Sequence, residues 1–420
     1  MIRTPQLRAD ARPTRVAVVG AGFVSKGLVH RLVQRDDVAP PIVSNRDPDR
    51  AIQVYKAAGI DKDRIVASDD PSILSEALAE GRPAVTSDTG VLTELQGLDV
   101  VVEATGAMEF GARTILASLR AGQHVVSMNA EVDALVGHHL DTVAVRHGVT
   151  YSIGDGDQPG VLMRMLEETR ELGLEPVMAL NCKRNLNVHQ SPEDSRPFAE
   201  RDGTSVHMTT AFGDGTKMHI ENVVTSNLSG LTPPPIGTEG VRTELATVAA
   251  DVREAGIPGG SVHFTLGGDF GGGVLVLAQS KDPEFDAPYL RYGKLGDGPW
   301  YPLFRPYHLI HMEVPATIQQ LAAGGPPLGD RTPQPVASCV AVAKRHLAAG
   351  EQLDGIGGGA CYGLAASRNE ATGLLEVGLS QFATLRRDIA ADRPIELDDV
   401  ELDEAAYLVR LHRDGADTTD

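Results

Sequence analysis

Two glycines, Gly20 and Gly22, follow the apolar run Val16-Ala-Val-Val19, and after Phe23-Val24-Ser25 come Leu28, Val29, Leu32 and Val33 at helical spacing. A buried strand, a glycine turn and a helix N-terminus in that order form a dinucleotide-binding fingerprint. Gly20 permits a sharp turn, and Gly22 lets backbone N–H groups approach a pyrophosphate that a side chain would block. The third position holds Ser25, small enough for close helix–strand packing. Gly20, Gly22, Phe23 and Val24 are the residues expected along the phosphates.

Two later strand ends extend the same chemistry. Leu98-Asp-Val-Val-Val102 runs into Glu103-Ala-Thr105-Gly106, and His124-Val-Val-Ser-Met runs into Asn129-Ala-Glu131-Val-Asp133. Ligands sit outside the carboxyl ends of parallel strands, so Thr105, Gly106 and Asn129 are expected at the nicotinamide end. Ile42-Val43-Ser44 ends about two dozen residues after Gly20, where such enzymes read the adenosine ribose. Ser44, Asn45 and Arg46 are able to hold a 2′-phosphate, and Asp47 lies just beyond, so NADP is favoured over NAD. A solvated turn is the plainer explanation of Arg46.

Hydride chemistry on a hydroxyl or carbonyl carbon also needs a group that trades a proton. Lys183 closes the apolar segment Val177–Cys182, and Asp214-Gly-Thr-Lys217 precedes a helix-like segment, 218–227, carrying Glu221 and Asn227. Lys217 and Glu221 are four residues apart and share a helix face, as an exposed ion pair would. Lys183, Lys217 or His308 is the expected acid–base group, with Asp214, Glu221 and Arg305 orienting substrate. His308 and His311 form an H-x-x-H pair without a third ligand, so no metal site is assigned. They belong to a stretch, 292–315, holding the only Trp and three of eight Tyr in a chain that is 4% aromatic, which suggests the wall of a site.

These groups need elements to hold them. Residues 1–14 read as a disordered lead-in and 15–155 as an α/β dinucleotide-binding domain, with helices near 48–58, 71–80 and 107–120 and a closing helix–strand unit over 138–153. Asp155-Gly-Asp-Gln-Pro-Gly160 precedes a helix from Val161 to Glu171 and reads either as ordinary loop chemistry or as a ligand loop. An α+β substrate and dimerisation domain follows over 156–334, its last helix expected to pack back on the first domain. Gly267–Gly273 leads into a strand rather than a helix, so it is not a second phosphate loop. From 335 to 420 the pattern resets to a small, mostly β domain with an acidic tail.

Bulk properties narrow the class. The 420 residues allow two or three domains, and 42% hydrophobic and 23% charged residues are ordinary for a soluble enzyme. A net charge of −19 argues against nucleic-acid binding by charge attraction. The three cysteines, Cys182, Cys339 and Cys361, are too few for a disulfide framework. No apolar run of membrane-spanning length and no apolar signal core occur, so a cytoplasmic protein is expected.

With these motifs in hand, residues 15–130 resemble the NAD(P)-binding domain of homoserine dehydrogenases, through Gly20-Ala-Gly22-Phe-Val24, Glu103-Ala-Thr105-Gly106 and Asn129. Ala341-Val-Ala-Lys-Arg-His-Leu-Ala-Ala-Gly350-Glu-Gln-Leu353 resembles a SAF domain. Together they resemble the homoserine-dehydrogenase-like oxidoreductases with a C-terminal SAF domain, whose recurring blocks match Asp214–Lys217, Glu221, Asn227, Lys294–Pro299 and Arg305–Leu309. Where homoserine dehydrogenases carry Asn-Lys, this chain has Asn129-Ala130, which points away from homoserine. The resemblance implies an NAD(P)-dependent dehydrogenase or reductase for a small polar hydroxy or keto compound, plausibly derived from a sugar or hydroxy acid, in a homo-oligomer such as a dimer. A redox-neutral enzyme that retains its cofactor, and a nucleotide- or carbohydrate-binding protein without turnover, are the alternatives.

Overall fold

The computed structural model describes residues 12–268 and 270–415. The chain forms two compact units: residues 1–157 with 309–328 and 411–420, and residues 158–308 with 329–410.

In the first unit, a seven-stranded parallel sheet has the order β3-β4-β2-β1-β5-β6-β7. Its strands are β1 (Val16–Val19), β2 (Ile42–Ser44), β3 (Val66–Ala67), β4 (Ala84–Thr86), β5 (Val100–Glu103), β6 (His124–Ser127) and β7 (Tyr151–Ile153). The central strands are valine-rich and buried along their length, as parallel strands covered on both faces must be. Helices α1 (Phe23–Leu32), α2 (Pro48–Ala57), α3 (Pro71–Glu80), α4 (Met108–Arg120) and α5 (Ala130–Arg146) connect them.

Three expectations are corrected here. The strands β3 and β4 fall in stretches where no element is expected, because two or three residues are too short to show a period. Helix α5 begins at Ala130, eight residues before 138, because Asn129 caps it and accepts a hydrogen bond from the Val132 N–H at 3.3 Å. The lead-in read as disordered through residue 14 ends sooner. Thr14 is buried, donates its N–H to the Asp37 carbonyl and accepts from the Ala39 N–H, both at 2.9 Å. Residues 1–11 of that lead-in, and 416–420 of the expected acidic tail, lie outside the described residues.

The second unit starts with α6 (Gln158–Glu171) and β8 (Leu174–Lys183), followed by α7 (Pro192–Asp202), α8 (Val206–Gly213) and α9 (Thr216–Ser229). Then come β9 (Val241–Arg242), α10 (Val248–Glu254), β10 (Ser261–Leu266), β11 (Val274–Ser280), α11 (Pro283–Tyr292) and β12 (Trp300–Arg305). Its mixed sheet has the order β12-β11-β8-β10-β9, with β8 in the middle. Helix α9 is buried from Thr216 through Leu228. One face meets the sheet, where Asn181 of β8 donates to Asn222 at 2.7 Å. The other face meets the antiparallel hairpin β13 (Ala337–Ala343) and β14 (Cys361–Ser367), whose Gly363 and Ala365 N–H groups donate to Thr216 Oγ1 at 2.8 Å and His219 Nδ1 at 3.2 Å. A short pair, β15 (Ala383–Leu385) and β16 (Val400–Leu402), belongs to the same unit.

Helix α12 (Ile310–Ala322), though late in the chain, belongs to the first unit. Its Val314, Ile318 and Leu321 join Leu28, Val29 and Leu32 of α1 in one core, each such side chain contributing about 1.5–3 kcal/mol by burial. A Cβ on Gly27 would sit 2.6 Å from the His311 ring, so a glycine on α1 permits this close approach. Helix α13 (Tyr407–Asp414) closes the described chain.

Candidate active site

At the carboxyl edge of the parallel sheet, the register brings Ser44, Val19, Glu103 and Ser127 to the ends of four adjacent strands. Gly20, just past β1, has φ +114°, and a Cβ there would lie 2.8 Å from the Ala104 carbonyl oxygen. The turn therefore requires glycine twice over, by conformation and by contact. Gly22 differs: a Cβ there would meet nothing within 4 Å, and its position is exposed. It is the N-cap of α1, with no side chain bonded to the first-turn N–H groups and no acid in that turn. An anionic group fits those N–H groups and the positive end of the helix. Phe23 is exposed and Val24 half-buried beside them, while Ser25 is buried beneath the turn.

At the β2 end, Asn45 Oδ1 accepts from the Asp47 N–H at 3.0 Å. Asp47 caps α2, accepting from the Asp49 and Arg50 N–H groups at 3.1 and 3.3 Å. Its carboxylate is thus engaged in capping the helix, and Arg46 is exposed at this strand end beside Asp47 and Arg50.

The β5 end holds a group that sequence reasoning quoted without a role. Glu103 is fully buried, and its carboxylate accepts from the Thr105 N–H at 2.8 Å and from the Thr105 hydroxyl. Burial pushes its pKa up, against the hydrogen bonds from Thr105 and Asn129. Asn129 is buried next to it, and Gly111 of α4 leaves room for both side chains. Gly106, at φ +68°, completes the turn beyond Thr105. The signal was present: an acid at the end of an otherwise apolar strand needs partners nearby.

The loop after β7 is packed rather than open. Asp155 donates its N–H to Thr317 of α12 at 3.0 Å, and the Gly156 N–H bonds to the Asp155 side chain at 2.8 Å. His311 packs edge-on to Phe23. Among the described residues, no group of three or more His, Cys, Asp or Glu could hold a metal ion.

The second unit gathers the charges. Lys183 ends β8 half-buried, its ammonium 5.2 Å from the centre of the Phe212 ring. Burial pulls its pKa down; Glu221 opposes this, Lys217 adds to it and Asp214 opposes it. Three of the other expected catalytic residues thus act on Lys183. Lys217 and Glu221 lie one turn apart on α9, 6% and 2% exposed, which removes the explanation of a solvated surface pair. Asp214 is fully buried between α8 and α9: one oxygen accepts from the Thr216 N–H at 2.8 Å, and the other pairs with Lys344 at 2.7 Å. Burial raises its pKa, and Lys344 opposes that rise. Lys344, just past β13, was not singled out among the charges of its segment; 130 residues separate it from Asp214 in the chain. Gly215, at φ +85°, has Leu186 where a Cβ would lie, 2.5 Å away.

The fifth expected residue, His308, sits half-buried in the loop after β12. Arg305, at the end of that strand, lies 5.1 Å from the Tyr307 ring centre. His219 of α9, edge-on to Phe264 of β10, is pushed down to about 3 by burial, with His263 and Lys183 adding to it, and so is neutral.

Residues 20–153 match the family model described as homoserine dehydrogenase, NAD binding domain, and residues 156–314 match that described as oxidoreductase DRL, catalytic domain. Similar solved structures include a probable dehydrogenase from Thermotoga maritima, 14% identical over 75% of this chain and 91% of its own, with a TM-score of 0.45. Another is scyllo-inositol dehydrogenase from Lactobacillus casei with bound NAD(H) and scyllo-inositol, 12% identical over 64% and 67%, with a TM-score of 0.34. A third is 1-deoxy-D-xylulose 5-phosphate reductoisomerase from Zymomonas mobilis with NADPH, 15% identical over 75% and 82%, with a TM-score of 0.37. No curated protein matches the chain in sequence. No helix among the described residues is long and apolar enough to cross a membrane. The chain is an NAD(P)-dependent oxidoreductase.

Proposed function

We propose that this oxidoreductase interconverts a small polar hydroxy compound and its keto form, of sugar or hydroxy-acid type, with Lys183 as the group that trades the hydroxyl proton. The cofactor supplies or accepts hydride when bound. The turn from Gly20 through Val24 would hold its phosphates at the α1 N-terminus, while Thr105 and Gly106, braced by Glu103 and Asn129, would shape the nicotinamide end. Arg46 favours NADP, because Asp47 is engaged as a helix cap and Arg46 is free to meet a 2′-phosphate.

One observation carries the assignment to Lys183. It stands at the carboxyl end of the central strand β8, half-buried, with an ammonium pKa lowered chiefly by burial. A lowered pKa moves a lysine in the direction that lets it give and take a proton more readily than a solvated lysine does. Lys217 and Glu221, more deeply buried on α9, set its electrostatic surroundings and orient substrate, with His308 and Arg305 as further polar contacts. Asp214, with both oxygens engaged inside the fold, shapes the turn. Residues 335–420 are read as a SAF-like domain and the working particle as a homodimer, which light scattering checks.

Turnover of a panel of hydroxy and keto acids and ketoses, followed through NADPH absorbance, tests the reading. Lys183→Met is expected to lower kcat at least a thousandfold while NADPH affinity by fluorescence titration stays within twofold. A variant retaining a third of the wild-type kcat would sink the assignment.

A further inference from the structure

We propose that Lys344, carried by the C-terminal β hairpin, is a positioning residue for the reaction: by pairing with Asp214 it holds the turn that sets Lys217 and Glu221 beside Lys183. The inference rests on the reading of Lys183 as the acid–base group.

The geometry of Lys344 is that of a completed site. Its ammonium donates to the Gln190 carbonyl at 2.8 Å and the Gly358 carbonyl at 2.6 Å, and pairs with Asp214 Oδ2 at 2.7 Å. Two of its N–H groups are held by these carbonyls, and its charge faces the carboxylate as a buried ion pair. The side chains of the pair are 3% and 0% exposed. At this depth an ion pair adds little to stability against an apolar replacement, whereas removing one partner leaves a buried charge. Its retention is therefore better explained by what it positions.

What it positions is the start of α9. Asp214 Oδ1 accepts from the Thr216 N–H, one of the donors that a helix start leaves unpaired, and a carboxylate there is favoured by the helix dipole. Gly215 makes the turn between them in the left-handed region. Lys217 is the next residue, and Glu221 follows one turn later. An ionised Asp214 fixes this start; a protonated one weakens its bond to the Thr216 N–H.

Charged and titratable groups around Asp214 stand on each neighbouring element. Lys344 follows β13, Lys183 ends β8, and Lys217 and Glu221 are on α9. The Cys339 and Cys361 thiols on β13 and β14 are pushed up by burial, the latter to about 12, and stay uncharged. Asp354 stands near Lys344, accepting from the Gly359 and Ala360 N–H groups. Among these, Lys344 is the cation whose ammonium reaches the carboxylate in the ion pair described. Without it, the burial that already raises the Asp214 pKa acts with less opposition.

The test is the pH profile of kcat in Lys344→Met, Lys344→Arg and the double variant Lys344→Met/Asp214→Asn. Lys344→Met is expected to show a new acidic limb above the ordinary carboxylate range, with kcat at the bottom of the limb at least tenfold below its own high-pH plateau. Lys344→Arg keeps the charge and is expected to lack that limb, and the double variant, with no carboxyl left to titrate, lacks it too. An acid limb in Lys344→Met unmoved from wild type, or the new limb persisting in the double variant, overturns the proposal.

Should Lys344→Met prove too unstable to assay, its Tm reads the same titration. A carboxyl whose pKa is higher folded than unfolded loses stability as pH rises between the two values, so Tm falls with pH across that window in the single variant and not in the double. A flat difference between the two overturns the proposal. Lys183→Met separates the two failures. If it keeps turnover, the acid–base reading falls; if it is inactive while the Lys344→Met limb is unmoved, only the role of Lys344 falls.

Discussion

The two units build their sites from different materials. The parallel-sheet unit offers backbone: Gly20 at φ +114°, the uncapped N-terminus of α1, and Gly106 at φ +68°, with Glu103 held behind them by Thr105 and Asn129. The second unit offers side-chain charge: Lys183, Asp214, Lys217, Glu221 and Lys344, most of it on or against a helix covered on both faces. Backbone N–H groups at a helix start suit a constant ligand, because they recognise phosphate whatever else it carries. Buried charges tune proton affinity, and each depends on neighbours from other elements. A backbone site is therefore broken by sterics, and a charge site by altered charge or lost support.

Substitution can break this contrast. The largest effect on cofactor binding is expected at Gly20→Ala, where the new Cβ meets the Ala104 carbonyl at 2.8 Å in a conformation that alanine avoids. NADPH affinity by fluorescence titration should fall at least a hundredfold; a loss under threefold would show that the turn is not the phosphate site. Asn227→Ala probes the support of the second unit. Asn227 accepts from the Val336 and Ala337 N–H groups at 2.8 and 3.1 Å and donates to the Ala337 carbonyl at 3.2 Å, tying α9 to β13. Its removal leaves these groups without that partner and should cost about 2–4 kcal/mol in denaturant unfolding, with NADPH affinity of the folded protein nearly unchanged. Equal damage to cofactor binding would refute the independence of the two sites. The smallest effect belongs to Arg46→Ala, expected to weaken NADPH binding about fivefold and leave NADH binding unaltered, a surface charge contact being worth roughly 1 kcal/mol. Equal loss for both cofactors would remove the preference for NADP.

Legibility followed the same contrast. The Gly20–Val24 turn lies within five consecutive residues, and its strand and helix announce themselves by period, so α1, β1, β2, β5 and α3 could be read locally. The start of α5 was not, because Asn129-Ala-Glu-Val-Asp133 serves a helix cap as well as it serves a ligand loop. Helices α7 and α8 went unread in a stretch where polar residues and Pro197 blur the helical period. In the second site, Asp214, Lys217 and Glu221 stood out by spacing, but their burial did not, since an i,i+4 ion pair reads the same on a surface or in a core. His311 was grouped with His308 by spacing, whereas its ring packs on Gly27 of α1.

The sequence by itself determined the class: an order of strand, glycine turn and helix that fits a dinucleotide, and charged residue types suited to proton transfer. Those features are local, set by conformational freedom and by side-chain chemistry within a few residues. Tertiary structure alone decided which charges are buried and which meet. It joined Lys344 to Asp214 across 130 residues, turned Glu103 and Asn129 into inner supports, and pulled down the proton affinity of Lys183. Burial and long-range pairing are properties of the packed chain, and proton affinity follows from them.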